Sequence, residues 1–210
     1  MTIEPVQPVD RLSSRSPGTR AMQTRERIVE MTAALLREVR FKELTTAMVT
    51  QRLGLTPPAF YRYFADLNEA LLACADGMRH DVDGLADAVN AGTWRGRRAR
   101  EAAAHLIDAF VDFWSRHGAL HRVIDLLADE GDDRFVALRR QMFEPVTAAL
   151  APVTSSVGGR DPVIAAGIVV ATLVHVTTRE SGFVASGIAR EDLREHLAEH
   201  VAAAVTGSRR

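Results

Sequence analysis

The chain has 210 residues, 47% of them hydrophobic, and its 26 Lys/Arg nearly balance 27 Asp/Glu for a net charge of −1. That length admits a small unit joined to a larger one, and that composition excludes a disordered or collagen-like chain. The single cysteine, Cys74, excludes an intrachain disulfide and a paired-cysteine metal or redox motif, so a reducing cytoplasm is the expected compartment.

Residues 1–20 mix prolines, glycine and serines with Arg11, Arg15 and Arg20 and show little apolar periodicity. They read as a disordered basic arm, either a plain solvated tail or a segment that lies along phosphates or in a minor groove. No continuous apolar stretch of a signal peptide occurs here, and the later run Val163 to Val176 is too short for a bilayer and carries His175, so no membrane partner is expected. Over residues 1–64 ten Lys/Arg stand against six Asp/Glu, a balance of +4, which leaves 16 against 21, or −5, for residues 65–210. A basic first unit suits a polyanionic partner.

From Thr24, Ile28, Met31, Leu35 and Val39 recur at three- and four-residue spacing, the mark of an amphipathic helix. A short second helix starts at Thr45 or Thr46, whose hydroxyl can cap exposed N–H groups, and it turns Met48, Val49 and Leu53 inward. Gly54 ends it, because glycine enters the left-handed conformation without a steric penalty. Thr56 and Pro57 then open a third helix, roughly Pro57 to Phe64, as N-cap and first helical residue. Asp66 can cap a long fourth helix with Leu71, Ala75, Met78, Val82, Leu85 and Val89 in step. After a turn at Gly92 to Arg98, helical stretches follow near 97–116, 119–129, 132–150, 161–185 and 190–205, with no alternating strand pattern. The expected fold is all-α, with residues 21–66 a three-helix helix-turn-helix domain and residues 67–210 a larger helical domain.

A helix-turn-helix reads DNA because its second helix fits the major groove while the first crosses the backbone. The candidate DNA-contacting set is Thr45, Thr46, Thr56, Pro57, Ala59, Phe60, Tyr61, Arg62 and Tyr63. Its hydroxyls suit phosphates or base edges, and Ala59 and Phe60 suit thymine methyl groups unless Phe60 faces the core instead.

The run Leu44-Thr45-Thr46 through Val49, then Leu53-Gly54-Leu55-Thr56 and Tyr61-Arg62-Tyr63-Phe64 before a long helix, resembles the N-terminal domain of TetR-type transcriptional regulators over about residues 24–75. The sequence departs from that pattern at Arg40, at Val49-Thr50, and at Leu67, which stands where the family commonly has a phosphate-binding lysine; weaker salt-dependent affinity is expected. The resemblance implies a homodimer on a palindromic double-stranded operator, and most often a repressor released by a small molecule. It also implies a dimer surface from the last two helices, 161–185 and 190–205, where Ile164, Ala165, Ile168, Val169, Ala171 and Thr172, and Leu193, Leu197, Val201 and Val205, share faces.

The middle of the chain is rich in large apolar side chains, which fill a core in most proteins. An apolar effector pocket needs the same types with a few polar groups, and Phe110, Trp114, Met142, Phe143, Val146, Thr172 and His175 are the candidate lining, beside a kink expected at Pro145. His196 and His200 lie one turn apart but lack a third ligand, and a helix end at Gly118 is expected to separate His117 from His121, so no metal or cofactor is expected. The competing readings are a helical small-molecule-binding protein without DNA regulation and an enzyme; no GxSxG, glycine-rich phosphate loop or paired-cysteine motif supports the latter.

Overall fold

The apolar spacing resolves into ten α-helices and one 3₁₀ turn, with no strand, among the described residues of a computed structural model, residues 17–154 and 161–207. They are α1 Pro17–Glu38, the turn Phe41–Glu43, α2 Thr46–Leu53, α3 Pro57–Phe60, α4 Leu67–Ala91 and α5 Arg98–Asp129, followed by α6 Asp133–Gln141, α7 Glu144–Thr154, α8 Pro162–Thr178, α9 Glu180–Ala185 and α10 Arg190–Thr206. The chain divides into two compact units after Ala70, within α4.

In the first unit α2 packs on α1 and α3. Ile28, Leu35, Val49 and Phe60 are 0% exposed, so the helical stripe seen in the sequence is the core. The Phe60 and Phe64 rings lie 5.7 Å apart at its centre. Residues 1–16, including Arg11 and Arg15, lie outside the described residues, whereas Arg20 belongs to α1. Residues 17–20, expected within the arm, are helical: Pro17, in the first helical turn where an N–H is dispensable, starts the helix earlier than Thr24.

In the second unit Leu71, Ala75, Met78, Val82, Leu85 and Val89 of α4 are all buried. The long helix α5 packs against α6, α8 and α10, and α7 lies on α8. The break expected at Gly118 does not occur, since α5 runs through it. A mid-helix glycine costs about 1 kcal/mol, which burial of Phe113, Trp114, Leu120, His121, Val123 and Ile124 on either side offsets. Pro145 does interrupt the stretch 132–150, sitting in the first turn of α7 after a turn at Met142 and Phe143. The stretch 161–185 divides at Arg179, whose backbone (φ −110, ψ 11) leaves the helical region between α8 and α9.

On the apolar face of α10, Leu197, Val201 and Val205 are buried within the unit, where α10 packs on α5, α7 and α8, while Leu193 is half-buried. On α8, by contrast, Val163, Ile164 and Ile168 are 60%, 64% and 62% exposed. No helix among the described residues is long and apolar enough to cross a membrane.

Candidate nucleic-acid interface and cavity

Local chemistry builds the turn between α2 and α3. Met48 N donates to Thr45 Oγ1 at 3.2 Å, which caps α2, and Thr50 Oγ1 donates back to Thr46 O and Ala47 O. Gly54 closes α2 with φ 65, a conformation that a side chain would strain, and Leu55 N donates to Thr50 O at 2.8 Å. Thr56 takes the N-cap position of α3 with extended backbone, yet its hydroxyl makes no capping bond and the residue is exposed.

The third helix is shorter than expected. It ends at Phe60, and Tyr61 to Tyr63 form a turn in which Tyr63 N donates to Phe60 O at 2.9 Å. The turn has a consequence for Tyr61, which is 57% exposed with its hydroxyl 3.3 Å from Thr46 Oγ1. The start of α2 and the end of α3 thereby present two hydroxyls together. Thr45, Pro57 and Arg62 are exposed as well, the Arg62 guanidinium lying 5.9 Å over the Tyr63 ring, while Ala59 and Tyr63 are half-buried.

Phe60 leaves the candidate contact set. Its ring is 0% exposed and stands edge-on to Tyr61 at 5.6 Å, so it supports the surface and offers DNA no atom. Asp66 does cap α4, with Glu69 N donating to its Oδ1 at 2.7 Å, and the Glu69 carboxylate accepts in turn from Ala65 N. Leu67, half-buried, is the first residue of α4 and brings no charge there.

The candidate effector residues separate into two groups. Phe110 and Val146 are 0% exposed and Met142 is 3% exposed, all packed in the second unit. Phe143 bridges Phe110 (5.9 Å), Trp114 (5.8 Å) and Phe113 (6.0 Å) in an aromatic cluster, and Thr172 Oγ1 donates to Ile168 O within its own helix. Trp114 and His175, however, both line a cavity of about 530 Å³ between α5 and α8, a volume suited to a small ligand.

Most of that cavity's polar lining escaped the sequence reading: His121, Arg122 and Asp125 on α5, with Thr178 and Arg179 at the end of α8. Their recurrence with Trp114 and Gly118 at helical spacing was the available signal. The His121 and Trp114 rings meet at 4.6 Å, and His121 Nδ1 lies 3.4 Å from Asp125 Oδ2. Burial holds the His121 imidazole below its ordinary value of 6.5, against the pull of Asp125. Trp114 Nε1 donates to Thr177 Oγ1 at 2.7 Å, and Arg179 Nη1 lies 3.3 Å from His175 Nδ1. No group of three or more metal-ligating side chains occurs among the described residues.

Solved structures share this architecture. A TetR-family transcriptional regulator of Mesorhizobium loti superposes with a TM-score of 0.68 over 90% of this chain and 98% of its own at 17% identity. A transcriptional regulator of Rhodococcus sp. Rha1 gives 0.68 over 88% and 96% at 16% identity. A TetR/AcrR-family regulator of Thermobifida fusca gives 0.57 over 90% and 100% at 20% identity. A comparison with curated proteins returns no match. Residues 85–210, 126 of the 210, match the family model described as the tetracyclin repressor-like C-terminal domain. With that match over more than half its length, on an all-helical fold shared with such regulators, the chain belongs to the TetR family of transcriptional regulators.

Proposed function

We propose that this regulator is a sequence-specific DNA reader in which residues 21–66 engage a palindromic operator and the helical remainder, residues 67–210, binds a small effector and pairs with a second copy. The observation that carries the reading is the joint presentation of Thr46 and Tyr61 beside exposed Thr56, Pro57 and Arg62, on a turn whose glycine holds α3 against α2. Hydroxyls and a guanidinium at the two ends of a helix-turn-helix suit phosphates and base edges. Thr45, Ala59 and Tyr63 flank them.

The dimer surface is the exposed stripe of α8, Ile164 and Ile168, with Ala165 and Ala204 beside it along a second, shallower cavity. Large apolar residues that exposed favour burial against a partner. The effector occupies the cavity at Trp114 and His175, and the mode of action is repression relieved by that effector. The cytoplasm is its place of work.

Selection of bound sequences from a random double-stranded pool by the purified chain tests this. Enrichment of a palindrome with half-sites about one helical turn apart is the expected result. An unenriched pool at moderate salt overturns the DNA reading and favours a helical small-molecule-binding protein.

A further inference from the structure

Around the cavity between α5 and α8, the indole and hydroxyl hydrogen-bond donors are already engaged. The Trp114 indole N–H goes to Thr177 Oγ1, and the Thr178 hydroxyl donates to Val174 O at 2.6 Å. Gly118, Ala171, Val174 and the Trp114 ring thus leave an apolar wall. Beside the imidazoles of His121 and His175, the donors that remain are cationic. Arg122 and Arg179 both line the cavity, and neither makes an ion pair with a carboxylate among the described residues. Elsewhere in the same unit Arg116, Arg139 and Arg194 each engage one: Asp81, Asp129 and Glu180. Asp125 is the single carboxylate in the lining, and its Oδ2 faces His121.

Two guanidiniums against one carboxylate, beside an indole ring, form an environment for a group that is charged at one end and apolar at the other. We propose that this cavity takes a small organic carboxylate whose apolar or aromatic body lies against Trp114 while its anionic end meets Arg122 and Arg179. In this proposal the small apolar effector expected from the sequence carries an acid group as well. Guanidinium and carboxylate match in bidentate geometry, which a neutral amide of the same shape does not reproduce.

This deepens the reading of the second unit as an effector domain and rests on it. The test is calorimetric titration of the full-length chain, without DNA, with 2-naphthoate and with its uncharged counterpart 2-naphthamide. Saturable binding of 2-naphthoate is expected, with 2-naphthamide roughly tenfold weaker or more, as loss of a charge-assisted contact implies. Arg122→Gln and Arg179→Gln should each weaken 2-naphthoate by roughly the same factor and leave 2-naphthamide unchanged. Both side chains are exposed, and unchanged helical circular dichroism confirms that the variants fold.

Equal affinity for acid and amide overturns the anionic assignment while keeping an effector cavity. Unaltered 2-naphthoate binding in both variants, or no saturable binding of the acid, overturns it as well. Because no DNA is present, none of these outcomes bears on the operator selection, and an empty selection leaves the titration intact.

Discussion

His117 Nε2 lies 2.6 Å from Asp81 Oδ2, and Arg116 meets the same carboxylate oxygen, so one side chain of α4 is held by two consecutive residues of α5. The hydrogen bond with His117 and, after it, the charge of Arg116 hold the Asp81 carboxyl below its ordinary value of 3.8, against a burial contribution of opposite sign. A depressed carboxylate stabilises the fold above the unfolded value and loses that contribution as pH falls through the folded one. Asp81→Asn should therefore lower stability by about 1 kcal/mol near neutrality. The difference from the parent chain should vanish in urea denaturation below the depressed Asp81 value, where Asp81 is itself protonated.

Phe60 and Tyr61 are adjacent and should respond in opposite ways. Phe60→Ala removes a fully buried ring and should cost about 3–5 kcal/mol, read as a lowered thermal midpoint. Tyr61→Phe removes an exposed hydroxyl and should change stability by less than about 0.5 kcal/mol. Its effect should instead be a loss of operator affinity of roughly tenfold, measured by fluorescence anisotropy on the selected sequence. An unchanged affinity removes Tyr61 from the contact set.

The buried imidazole of His121 gives stability a pH dependence of its own. Burial lowers its pKa most; Asp125 opposes this, and Arg122, Arg139 and Arg179 add to it. Between the lowered folded value and 6.5 the unfolded chain binds more protons, so stability rises with pH across that window and falls as the solution is acidified below 6.5. His121→Gln should flatten the thermal midpoint between pH 7.5 and about pH 5.5, measured by calorimetry, relative to the parent chain. A slope of equal size in the variant would assign the effect to other groups.

Charge placed on the α8 stripe should separate the copies. Ile164→Glu combined with Ile168→Glu puts two like charges where apolar side chains stand exposed, and the dimer dissociation constant should rise by about a hundredfold. Light scattering behind size exclusion reads this directly. A dimer that survives the double change lies on another surface.

Features governed by neighbouring residues could be read without the structure. The stripe of α4 from Leu71 to Val89 lies wholly inward because helical periodicity decides which side chains share a face. Gly54 ends α2 and Pro145 interrupts the chain after α6 for reasons contained in one or two residues. Gly118 was misleading because its local preference opposes the packing of its neighbours, and packing prevails. Phe110 and Val146 were buried as their type predicts, but residue type does not say which buried groups border a cavity. Arg122, Asp125 and Arg179 acquire a shared role only when α5 and α8 are set side by side, a long-range relationship absent from either segment alone.

Ile164, Ile168, Ala171 and His175 succeed one another at four, three and four residues, so they occupy one face of α8. The first two belong to the proposed pairing surface, and the last two border the cavity. In that arrangement a ligand at the cavity and a second chain on the stripe compete for, or share, the same short length of helix. Reciprocity then follows from thermodynamics: by whatever factor the ligand alters self-association, self-association alters ligand affinity by the same factor. Sensitivity to the effector would therefore depend on how much of the protein the cell makes, and a regulator diluted below its pairing range would respond to a different concentration of the same acid.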